Sequence, residues 1–112
     1  MTSLPLLSVH VPAHWPLEVA NSLLVGERRK WLDEASTVEF IALLASFPIQ
    51  VDQETSDRAL RETLSVAREE GLSAYDAAYL ELAMRHGLPL ATLDQRLRVA
   101  AAAVGVSLYA VP

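Results

Sequence analysis

Apolar residues recur along this chain in two ways, as short unbroken runs and at helical intervals, and the two kinds of stretch alternate. Residues 6–11, Leu-Leu-Ser-Val-His-Val, form an apolar and β-branched run stopped by Pro12, the pattern of a buried strand. Behind Pro16, placed as the first residue of a helix, Leu17, Ala20, Leu23 and Leu24 follow helical spacing until the cations Arg28, Arg29 and Lys30 close the segment. Ser36-Thr37-Val38-Glu39 reads as a capping box opening a helix with Phe40, Leu43, Leu44 and Phe47 on one face, ended by Pro48. Ile49-Gln50-Val51 is a brief strand. Thr55 or Ser56 is then placed to cap a helix bearing Ala59, Leu60, Leu64 and Ala67.

The stretch 72–97 has the clearest punctuation. A helix opens at Ser73 and stops at Gly87, residues 88–93 form a short buried strand, and a further helix begins at Asp94 with Leu97, Ala100, Ala101 and Val104 on its inner face. A last strand is expected over residues 106–111. Gly71-Leu72, Gly87-Leu88 and Gly105-Val106 each pair a glycine with an apolar residue, the signature of a helix stop that turns the chain back to the core. Strands alternating with helices predict an α/β fold, a parallel sheet sandwiched by helices. Right-handed crossovers would bring the strand ends to one side, where open α/β sheets bind ligands.

Composition narrows the reading. With 112 residues, the expectation is a single domain with a real core. Hydrophobic content of 52% is high, yet no apolar run reaches the ~20 residues a membrane span needs. The absence of cysteine excludes disulfides and thiolate metal sites, and the start Met-Thr-Ser-Leu-Pro lacks the charged segment of a signal peptide, so a soluble cytoplasmic protein is expected. The net charge of −5 argues against holding nucleic acid by bulk attraction; local groups or bound cations would have to do it.

Glu18, Asp76 and Asp94 each open a helix in this reading. Each has a plain structural account: Glu18 near N3 favours the helix dipole, Asp76 stands at N3 of the Ser73 cap, and Asp94 is a good N-cap. Together they also form an oxygen donor set of the kind hard cations use. Such a cation keeps several waters and needs few carboxylates.

Three stretches carry a family resemblance. Pro12-Ala13-His14-Trp15-Pro16-Leu17-Glu18-Val19-Ala20-Asn21-Ser22-Leu23-Leu24, Leu72-Ser73-Ala74-Tyr75-Asp76-Ala77-Ala78-Tyr79 and Leu90-Ala91-Thr92-Leu93-Asp94 resemble, in order, the second, third and fourth acidic motifs of the PIN domain, closest to VapC-type toxins of bacterial toxin–antitoxin pairs. The resemblance implies a Mg²⁺- or Mn²⁺-dependent endoribonuclease with an RNA substrate and an antitoxin-type protein partner. By motif position it makes Glu18, Asp76 and Asp94 the metal ligands and catalytic residues, with Thr92 lining the site. It also implies a preceding strand that bears an Asp and lies in the middle of the sheet. Nothing before Glu18 is acidic, so the expectation is a PIN-like domain, truncated at its N-terminus, that lacks the family's first, central strand. Leu4 to Leu7 are a candidate substitute strand. Unpaired strand edges would favour association, hence an expected homo-oligomer.

The other notable residues have mainly structural readings. Trp15 suits core or helix-entry packing ahead of base stacking, His14 and His86 lack the spacing of a zinc pair, Arg28, Arg29 and Lys30 suit a solvated helix end ahead of contact with RNA phosphates, and Glu81 is expected to face solvent. Arg96 and Arg98, close to Asp94, are the candidates for substrate contact. Two other functional classes compete: a catalytically inactive PIN-like interaction module, and a phosphoacceptor receiver domain. The receiver reading lacks its early acidic pair, and the sole lysine, Lys30, is not placed after a late strand.

Overall fold

A computed structural model describes residues 9–109, which divide after Val51 into two compact units. The fold is α/β, mostly helical, with a small parallel sheet.

The first unit runs β1 (Val9–Val11), α1 (Trp15–Arg28), α2 (Glu34–Ala45), β2 (Ile49–Val51). β1 and β2 pair in parallel, Val9 opposite Ile49 and Val11 opposite Val51, across the helical crossover that parallel strands require. Residues 6–8 of the expected first strand, and the candidate substitute strand Leu4 to Leu7, lie outside the described residues. α1 starts at Trp15, one residue before the expected Pro16, and Trp15 is half-buried at the helix entry. α2 begins earlier than the capping box predicts: Asp33, not Ser36, is the N-cap, and its Oδ1 accepts the Ser36 N–H at 2.7 Å. That hydrogen bond also holds the Asp33 carboxyl below the usual carboxylate range. The face expected to pack is largely open, with Phe40, Leu43 and Phe47 exposed and Leu44 half-buried.

The end of α1 is a Schellman stop made without glycine. Trp31 N–H donates to Gly26 O at 2.8 Å and Lys30 N–H to Glu27 O at 3.0 Å, while Lys30 sits at φ +62°, the only described non-glycine residue at positive φ. A side chain in this left-handed region costs roughly 1 kcal/mol that glycine does not. Lys30→Gly is therefore expected to stabilise the protein by about 0.5 kcal/mol after the added unfolded-state entropy is deducted, seen as a higher urea midpoint at unchanged slope.

The second unit runs α3 (Thr55–Arg58), a π-helical segment (Ala59–Thr63), α4 (Leu64–Glu70), α5 (Ala74–His86) and α6 (Gln95–Ala103). Thr55 and Ser56 are not caps. Thr55 is the first helical residue, and its hydroxyl donates to Asp52 at 2.8 Å. The π turn changes the phase of the helix, so Thr63 is buried while Leu60, expected inside, is 84% exposed. The three glycine stops form as predicted, each with positive φ and the bond from the following apolar N–H to a carbonyl five residues back.

The core gathers Leu80, Ala83, Leu90, Leu97, Ala100 and Ala101, flanked by Val66, Leu72 and Leu108. Alanines let α5 and α6 approach closely, and the leucines fill the space between. The expected strand 88–93 narrows to one parallel bridge, Leu90 to Leu108. Pro89 has no N–H to give to a ladder, and the chain turns at Thr92, leaving Leu93 81% exposed. Of the expected last strand, Ser107 O accepts the Leu90 N–H and Tyr109 N–H donates to Leu90 O, both at 2.9 Å, and residues 110 and 111 lie outside the described residues. Among the described residues no helix is long and apolar enough to cross a membrane.

Candidate active site

Asp94 occupies the N-cap of α6. Its Oδ1 accepts the Leu97 N–H at 3.0 Å, and its own N–H donates to Thr92 Oγ1 at 3.1 Å. Arg98, one turn into the helix, donates to the Thr92 carbonyl at 3.0 Å. Thr92, Asp94 and Arg98 are thus drawn into one turn. The Asp94 side chain is exposed, and among the described residues no cation pairs with it. Arg96 points elsewhere, lining an open cleft of about 370 Å³ with Glu70, Gly71, Gln95 and Val99.

Asp76 lies in the first turn of α5, where Ser73 is the N-cap and its Oγ accepts the Asp76 N–H at 3.1 Å. The cap uses the Asp76 backbone, so its carboxylate is not needed to start the helix. No ion pair forms on it among the described residues. Glu18, in the first unit, is one residue deeper in α1 than expected, and its Oε1 lies 3.6 Å from His14 Nε2. Among the described residues no group of three or more His, Asp or Glu side chains converges as a metal site. The donor chemistry nevertheless suits a hard cation. Mg²⁺ is commonly held by one or two carboxylates plus water and substrate phosphate.

The most elaborate polar cluster was not anticipated. Glu81, expected in solvent, is buried. Arg85 Nη2 lies 2.8 Å from Glu81 Oε1 and 2.7 Å from Asp52 Oδ2, and Arg58 Nη1 lies 3.4 Å from Glu81 Oε2. Side-chain exposure is 11% for Arg85, 6% for Asp52 and 7% for Glu81, so these charges depend on one another. Hydrogen bonds from Arg85 hold the Asp52 carboxyl far below the usual carboxylate range, against the opposing effect of burial. The spacing of Glu81 and Arg85, i and i+4 with the acid first, was the signal available in the sequence.

The fold is thus a small parallel α/β arrangement with Asp76 in the first turn of α5 and Asp94 at the N-cap of α6. A family model described as the PIN domain matches residues 3–103, and the chain belongs to that family. It is also similar to Ribonuclease VapC3 of Pyrobaculum aerophilum, with 34% identity over 80 residues, 71% of this chain. The match spans 61% of that relative's length.

Proposed function

We propose that this chain is a VapC-type endoribonuclease dependent on Mg²⁺ or Mn²⁺, with Glu18, Asp76 and Asp94 as its acidic site. The PIN family match over residues 3–103 carries this reading. The placement of Asp76 and Asp94 supports it, since Asp76 stands in the first turn of α5 and Asp94 at the N-cap of α6, and among the described residues no cation already neutralises either. Asp76 and Asp94 would hold the metal, with Glu18 assigned by its motif position. The metal, when bound, supplies charge stabilisation and an activated water for displacement at a phosphodiester. Thr92 keeps the turn before Asp94 in place, and Arg98, tied to the Thr92 carbonyl, brings positive charge beside it for an RNA phosphate. Arg96 is a more distant substrate contact. The setting would be cytoplasmic, with a PIN-like domain over the whole chain, an antitoxin-type partner and a homo-oligomeric state.

Calorimetric titration with Mn²⁺ tests the site directly. Saturable binding by the folded chain is expected, together with its loss in Asp94→Asn. A folded protein that binds no Mn²⁺ would overturn the assignment.

The exposed apolar side chains of α2 favour a second reading, a catalytically inactive module that binds a small protein partner. Co-purification with such a partner and no metal-dependent RNA cleavage would select it.

A further inference from the structure

The turn that ends α1 has a feature the acidic site does not use. In a Schellman stop the residue after the left-handed position usually packs back on the helix, against a side chain five residues earlier. Here that earlier residue is Gly26, which has no side chain, and the space where its Cβ would stand is taken by Leu32, whose Cδ1 comes within 2.8 Å of it. Trp31 is thereby left outside, 70% exposed. The guanidinium of Arg29 lies over its ring, 5.2 Å from the centroid, within cation–π range. Arg28 and Lys30, the sequence neighbours of Arg29, are both exposed.

Two nearby acids, Glu27 and Asp33, are turned to other tasks. The Glu27 carboxylate accepts the Thr37 hydroxyl at 2.6 Å, and the Asp33 carboxylate caps α2. Among the described residues none of Arg28, Arg29 and Lys30 forms an ion pair. A protein of net charge −5 therefore holds three consecutive exposed cations directly before an exposed indole, in a turn whose backbone is hydrogen-bonded back to the end of α1. Cations that track phosphates beside an aromatic ring that stacks a base are the two elements of single-stranded nucleic-acid recognition.

We propose that Arg28, Arg29, Lys30 and Trp31 form a contact surface for single-stranded RNA, with the Trp31 ring stacking a base and the three cations facing phosphates. The choice of RNA rests on the ribonuclease reading above. The surface is a binding element distinct from the carboxylates, so the two stand or fall by different measurements.

The test uses the full chain in EDTA, so that binding is read without cleavage. In a Trp15→Phe background Trp31 is the only tryptophan, and its fluorescence should be quenched saturably by oligouridine of about 12 nucleotides, within the range single-strand sites cover. Read by anisotropy of a dye-labelled oligouridine, Trp31→Ala should weaken binding at least 5-fold, the lower end for a lost stacking contact, while Trp31→Phe stays close to the parent. Removing the cations together, as Arg28→Gln, Arg29→Gln and Lys30→Gly, should flatten the dependence of log affinity on log salt by about 2. Absence of quenching, an unchanged salt slope, or quenching by polyglutamate and not by RNA would each overturn the proposal. Cleavage lost in Asp94→Asn with no quenching at Trp31 would reject this surface and leave the ribonuclease reading intact. Quenching by RNA in a chain that never cleaves would do the reverse.

Discussion

Asp94→Asn is expected to reduce metal-dependent RNA cleavage by at least about 100-fold, the upper end of what losing even an outer-shell partner costs a metal site. The substitution separates chemistry from folding. Asparagine is as good an N-cap as aspartate, so the bond from Leu97 N–H to Oδ1 survives and α6 should be retained. Asp94→Ala would also remove the cap, costing about 1 kcal/mol, and would confuse the two effects. Asp76→Asn should behave like Asp94→Asn, because the α5 cap uses the Asp76 N–H and the Ser73 hydroxyl, not the carboxylate. Cleavage of a single-stranded RNA with added Mn²⁺, alongside circular dichroism, is the measurement. Undiminished cleavage by the folded variants would remove Asp76 and Asp94 from the mechanism.

The largest loss of stability should come from Arg85→Met. Methionine replaces the aliphatic stem but strands the buried carboxylate of Asp52 and leaves Glu81 only the longer contact to Arg58, a situation that costs about 3–5 kcal/mol. Domain stabilities run only to ~5–15 kcal/mol, so urea unfolding should show the effect plainly or find the variant largely unfolded. The triple change Asp52→Asn, Glu81→Gln, Arg85→Met removes the stranded charges and should recover much of the deficit.

The sign with pH follows from Asp52. Its folded carboxyl titrates far below the unfolded value of ~3.9, so the unfolded chain binds more protons in acid, and this contribution, full at neutral pH, is lost as pH falls below about 5. Arg85→Met lacks it. The gap between parent and variant should therefore narrow from about pH 5 downward; a gap independent of pH would show that the Arg85–Asp52 pair is not coupled to folding.

What was legible in the sequence was local. Ser73 and Asp94 cap the helices they precede, and the three glycines stop theirs, because a cap or a left-handed stop is decided within a few residues. The start of α2 was misread where two local signals competed. Asp33 and Ser36 are both good caps, and the earlier one prevailed by taking the Ser36 N–H, which adds a turn of helix. Leu60 and Glu81 were misplaced for a different reason. Their environment depends on tertiary partners, the phase change of the π segment in one case and Arg58 and Arg85 in the other. The acidic residues were identifiable by motif, and their positions at helix starts followed from capping rules. Their use was not, since a carboxylate that caps and one that binds metal look alike along the chain.

The π segment also bears on descent. A π turn holds one residue more than the α turn it replaces, so a helix can absorb the insertion of a single amino acid in this form. Relatives with an uninterrupted helix here should be one residue shorter between Ala59 and Thr63, and the gap in a correct alignment belongs within those five positions. Placing it earlier, in the loop before Thr55, would slide Arg58 by one position and erase the correspondence of the residue that reaches Glu81.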